Sequence, residues 1–163
     1  MHDPEQFELI PGAAATIAKW NTQGWLVVLV TNQAGVGRGY FPMSAVQAVH
    51  KRMNECLAKE SARLDGIYVC PHRPDDGCAC RKPKTFLFEA SAKDLGIDLK
   101  KSYCIGDKLT DVLPARDLGA RAILVRTGYG EQQLDSIAQL EDFTVSIAAD
   151  LADAARIIED EQI

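Results

Sequence analysis

With 163 residues, 47% hydrophobic and 25% charged, the chain has the makings of one globular domain with a substantial core. No apolar run approaches the length of a bilayer span, so no membrane role is expected. The net charge of −5 and the lack of a basic face argue against nucleic acid or an anionic membrane as the main partner.

The first stretch, 1–9, has no periodicity, and its acidic start is unlike a secretory leader. Ile10-Pro11-Gly12 then opens an apolar-periodic helix to about Gln23, with Gly24 as its stop. Trp25 to Thr31 is a continuous apolar and β-branched run, the pattern of a parallel strand buried on both faces. Asn32 to Gly39 reads as a glycine-rich loop, and Ser44 with Gln47 as a capping box opening a helix to about Lys59. Asp65–Cys70 is a shorter strand. Phe86–Leu95 reads as a helix stopped by Gly96, and Ser102–Gly106 as a strand ending in Asp107. A helix to Leu118 follows, with Pro114 tolerated in its first turn. Arg121–Arg126 is a buried strand, Phe143–Ile147 an edge strand and Leu151–Glu159 a closing helix. The alternation implies an α/β, Rossmann-like open parallel sheet with helices on both faces.

The densest chemistry lies between the second strand and the Phe86 helix. Cys70, His72, Cys78 and Cys80 fall within eleven positions, with Arg81 and Lys82 directly after them. Three thiols and an imidazole are the ligand types of a closed tetrahedral zinc site, and Arg73–Gly77 reads as the turn that folds one pair onto the other. Disulfides fit less well. Five cysteines leave one over after pairing, and Cys56 and Cys104 sit in apolar-periodic surroundings as core thiols. Thiols gathered as ligands also fit a reducing cytoplasm.

Ligands of open parallel sheets bind beyond the carboxyl ends of the strands. The polar residues there are Thr31, Asn32 and Gln33, then Arg81 and Lys82, then Asp107, Lys108 and Asp111. A hydroxyl, a lysine and a carboxylate pair suit phosphoryl transfer: donors hold phosphate oxygens, the lysine neutralises developing charge and Asp107 can carry magnesium.

The segments LVTNQAGVGRG, CPHRPDDGCACRKP and YCIGDKLTD together resemble the haloacid dehalogenase superfamily of phosphatases. Within it, they resemble the heptose-bisphosphate phosphatases and the related histidinol-phosphate phosphatases. The resemblance runs from about Phe7 to the C-terminal helix. It implies structural zinc on Cys70, His72, Cys78 and Cys80, and catalytic magnesium on Asp107 with Asp111 as supporting acid. It implies catalytic roles for Thr31, Lys82 and Asp107, and substrate contacts from Asn32, Gln33, Arg38, Arg81 and Lys108, Lys108 also orienting Asp107. It further implies a minimal cap and a small sugar phosphate as substrate, hydrolysed through an aspartyl-phosphate. The family's two catalytic aspartates lie in a D-x-D-G motif at the end of a first, central strand, and no D-x-D occurs in this sequence. The expectation is therefore one domain over 1–163 that lacks this strand, a cytoplasmic monomer able to associate through the strands left unpaired. The nucleophile being absent, the alternatives are an inactive phosphate-binding relative or, for the substrate, histidinol phosphate.

Overall fold

A computed structural model describes residues 2–162; Met1, in the aperiodic N-terminal stretch, and Ile163 lie outside them. The chain forms two compact units that divide between Arg81 and Lys82. Among the described residues, no helix is long and apolar enough to cross a membrane.

The first unit holds helix α1 (Ala13–Thr22), strand β1 (Val28–Asn32), helix α2 (Ala34–Gly37), helix α3 (Met43–Ala58) and strand β2 (Gly66–Cys70). Helix α1 stops where expected. Gly24 has φ +85°, a left-handed conformation that glycine adopts without penalty. The strands β1 and β2 pair in parallel, with Val28 opposite Gly66 and Asn32 opposite Cys70. Asp65 locks that register at the start: its N–H donates to the Val27 carbonyl at 2.7 Å, and its carboxylate accepts the Val27 N–H at 2.8 Å. The register sets Thr31 and Asn32 beside Val69 and Cys70 at the carboxyl ends.

Three expectations in this unit are corrected. Strand β1 is half-buried along its length rather than sealed on both faces, because it has a ladder partner on only one side among the described residues. Pro42, not Ser44, is the N-cap of α3, and no side chain caps that end. Part of the glycine-rich segment is a short helix, α2. Its glycines serve close approach: a Cβ at Gly35 would overlap the Phe41 ring, and one at Gly37 would sit 2.8 Å from the Pro71 carbonyl.

The second unit holds helix α4 (Phe86–Leu95), strand β3 (Tyr103–Gly106), helices α5 (Leu109–Val112) and α6 (Pro114–Leu118), strand β4 (Arg121–Val125), helix α7 (Leu134–Ala138), strand β5 (Ser146–Ala148) and helix α8 (Leu151–Asp160). The three strands form a parallel sheet ordered β3-β4-β5. Strand β4 lies in the middle, and Ala122 to Val125 are all buried. Cys104, Val112, Ala115, Ala120, Ala122 and Leu124 form one buried apolar cluster. The single helix expected before Leu118 is two: Pro114 has no N–H to continue α5, so it starts α6 instead. The expected edge strand begins at Ser146, three residues late. Helix α8 is capped by Asp150, which accepts the Asp153 N–H at 2.9 Å, while Asp153 accepts the Ala149 N–H at 2.8 Å. Such an N-cap is worth about 1 kcal/mol.

Candidate functional site

Strand β2 ends in the fully buried Cys70, and the chain beyond it folds back on itself. Asp76 makes the turn: its carboxylate accepts the Arg73 N–H at 2.8 Å and the Arg73 side chain at 3.0 Å. Those bonds hold the Asp76 carboxyl below the usual range. Gly77 completes the reversal with φ +67°. The ligand atoms of Cys70, His72, Cys78 and Cys80 then lie within 4.8 Å of one another.

The separations test the metal. A tetrahedron with Zn–S bonds of about 2.3 Å has edges of roughly 3.8 Å. Cys70 Sγ lies 3.7 Å from both His72 Nδ1 and Cys78 Sγ. Two other approaches are closer, 3.1 Å from Cys80 to Cys70 and 3.2 Å from His72 to Cys80. None of the five cysteines is in a disulfide. Four soft or borderline donors at these spacings fit zinc. Burial opposes ionisation of Cys78, but hydrogen bonds from Cys70, the Arg81 N–H and Cys80 lower its thiol to about 7. Burial, then the bonds to Cys70 and Cys78, push Cys80 up to about 12. The loop also holds the next residue, since the Arg81 guanidinium donates to the His72 carbonyl at 3.3 Å.

At the end of β1, the Gln33 side chain donates to Thr31 Oγ1 at 3.1 Å. The Gln33 N–H donates to the Cys70 carbonyl at 2.7 Å, and the Gly37 N–H to the Pro71 carbonyl at 2.9 Å. The segment that carries Thr31, Asn32 and Gln33 is thus stitched to the first residues of the metal loop. Arg38 follows α2 in an exposed turn.

In the second unit, Lys82 Nζ and Asp111 Oδ1 meet at 2.8 Å, with side chains only 12% and 15% exposed. Asp111 also accepts the Lys108 N–H at 3.1 Å. Gly106 makes this close packing feasible, because a Cβ there would overlap the Asp111 side chain. Asp107 stands at the carboxyl end of β3, where its Oδ2 accepts the Tyr129 N–H at 2.9 Å. That leaves its second oxygen as the one a hard cation would take. The described contact that orients Asp107 therefore comes from Tyr129 rather than from Lys108, whose ammonium lies 4.2 Å from the centre of the Tyr129 ring. Gly128, at φ +62°, is required beside it, since a Cβ would overlap Asp107. Sequence reasoning followed this strand only to Arg126 and missed the role of the residues just beyond it. The signal was Gly-Tyr-Gly at a strand's carboxyl end.

The class comes first from a family model. The model described as HAD-hydrolase-like matches residues 79–154. The D-glycero-β-D-manno-heptose-1,7-bisphosphate 7-phosphatase of Pseudomonas putida is 39% identical over 80% of this chain and 75% of its own length. The corresponding enzyme of Thermosynechococcus vestitus is 38% identical over 97% of this chain and 86% of its own. Among solved structures, D,D-heptose 1,7-bisphosphate phosphatase from B. bronchiseptica, complexed with magnesium and phosphate, superposes with a TM-score of 0.90. Its identity is 36%, over 98% of this chain and 88% of that one. This chain belongs to the HAD-like hydrolases, in the family of the heptose-1,7-bisphosphate 7-phosphatases.

Proposed function

We propose that this chain provides the phosphate-holding and metal-binding parts of a phosphatase acting on the 7-phosphate of D-glycero-D-manno-heptose 1,7-bisphosphate. The observation that carries the reading is the four-ligand cluster, whose chain runs directly into Arg81 and the Lys82–Asp111 pair. The names of the relatives favour this substrate over histidinol phosphate.

Cys70, His72, Cys78 and Cys80 would hold zinc, which would stiffen a loop too polar to make a core of its own. Thr31 and Asn32 donate to phosphate oxygens, and Arg81 contacts the substrate phosphate. Lys82 has three N–H donors, so it can face both Asp111 and a phosphoryl oxygen. Asp107 would hold magnesium with Asp111 in support, and the ion would supply positive charge to offset the charge of the phosphoryl group. Gln33, Arg38 and Lys108 line the entrance. The substrate class is a small sugar phosphate, in a cytoplasm reducing enough to keep the thiols as ligands. Nucleophilic attack and leaving-group protonation need two further carboxylates in D-x-D spacing, which these residues do not include.

Competition binding tests the substrate without requiring turnover. Inorganic phosphate bound to the zinc-loaded chain, followed by 31P NMR, should be displaced by heptose 1,7-bisphosphate at lower concentration than by histidinol phosphate. The opposite order would transfer the reading to histidinol phosphate.

A further inference from the structure

Gln33 links the Thr31 hydroxyl to the metal loop through two hydrogen bonds. Its N–H is fixed on the Cys70 carbonyl at 2.7 Å, which sets the backbone. Its side-chain amide then donates to Thr31 Oγ1 at 3.1 Å, in a part-buried contact. A threonine hydroxyl has one proton to give and lone pairs to receive. Phosphate oxygens offer little but acceptance, so a hydroxyl that holds phosphate must be the donor. When Gln33 occupies a lone pair of Oγ1, the Thr31 proton cannot be spent on Gln33 and is directed elsewhere.

We infer that Gln33 is a positioning residue: it receives its place from the carbonyl of Cys70 and uses its amide to hold the Thr31 hydroxyl as a phosphate donor. The inference rests on the proposed role of Thr31 and deepens it, because it gives the metal loop a route to the anion site that does not pass through Arg81 or Lys82. Substitutions other than proline at position 33 keep the N–H that bonds the Cys70 carbonyl, so the side chain can be tested by itself.

The test is a double-mutant cycle on binding of inorganic phosphate to the zinc-loaded chain, with thermal melting to show that each variant is folded. Gln33→Met removes the donor at similar volume and should weaken phosphate about fivefold, the size of one neutral hydrogen bond. Thr31→Val should weaken it at least as much. The double variant should bind no more weakly than Thr31→Val alone, since the amide then has no hydroxyl to direct. A second readout is the pH profile of Gln33→Glu. Its ionised carboxylate can only accept, and should draw the Thr31 proton away from the anion. Its deficit against the parent chain, measured with sulfate so that the ligand's charge stays constant, should shrink as pH falls and the introduced carboxyl regains a proton to donate. A purely structural role for Gln33 would give losses that multiply in the double variant and a deficit independent of pH. Either result overturns the inference, as does unchanged phosphate affinity in Gln33→Met. Unchanged affinity in Thr31→Val would instead remove Thr31 from the phosphate site, and the inference with it.

Discussion

Lys82 and Asp111 lie 2.8 Å apart with most of both side chains shielded from water, so neither charge is well solvated without the other. Breaking such a pair by removing one partner costs about 3–5 kcal/mol, because the survivor is left as an uncompensated charge. Lys82→Ala should therefore lower unfolding stability by that order in urea titrations, and Lys82→Ala/Asp111→Ala should recover part of the loss. Phosphate affinity should separate the ion pair of Lys82 from its proposed contact with phosphate. It should fall by more than tenfold in the single variant and stay low in the double, since recovered stability does not restore the cation. Cys104 makes a second prediction at this scale. Burial, the largest influence, pushes its thiol from 9.0 up to about 12, against a smaller opposing pull from Lys82. The unfolded chain then loses this proton near pH 9 while the folded chain keeps it. The associated stability is fully present below pH 9 and is lost as pH rises from 9 towards 12, up to roughly 4 kcal/mol at ~1.4 kcal/mol per pH unit. Denaturant unfolding at pH 8 and pH 10.5 should show a steeper alkaline loss for the parent chain than for Cys104→Ala. Equal slopes would mean the thiol is not shielded as its surroundings indicate.

The metal loop ties several elements together without a core of its own. Its carbonyls accept from Gln33 and Gly37 next to β1, and its last residue, Arg81, is held by the His72 carbonyl. Metal analysis should find one zinc per chain, with X-ray absorption giving three sulfur neighbours near ~2.3 Å and one nitrogen near ~2.0 Å. Chelation should speed hydrogen exchange at 71–81 and at the Gly37 amide, whose acceptor is Pro71. Exchange unchanged after zinc removal would make the ion incidental to the loop. The ligand set was legible in the sequence because residue type and spacing carry it, and so were α1 and α4, where Gly24 and Gly96 end a periodic apolar stripe in left-handed conformations. Other features depend on neighbours distant in sequence. Gly37 is needed because Pro71 approaches it, and Tyr129 matters because its N–H meets Asp107 from another strand's end. The start of α3 was misread because a capping pattern predicts a bond that Pro42 leaves unmade.

At the scale of the whole molecule, the parallel ladders end in β1 and β3, each with a strand partner on one side among the described residues. Strand edges with unmatched N–H and C=O groups favour pairing with other chains. The 163-residue chain is therefore expected to associate increasingly with concentration, as sedimentation velocity would reveal; a single monomeric species throughout would show that these edges are adequately protected. In the proposed function, these residues bind and polarise the phosphate of a heptose bisphosphate but do not contain the D-x-D aspartates that cleave it. The most direct test is magnesium-dependent phosphate release from D-glycero-D-manno-heptose 1,7-bisphosphate. The 163-residue chain should be assayed beside a version extended at its N-terminus by a strand bearing D-x-D. Release of the 7-phosphate is expected from the extended protein alone, whereas full turnover by the 163-residue chain would rule out the aspartyl-phosphate mechanism for this protein.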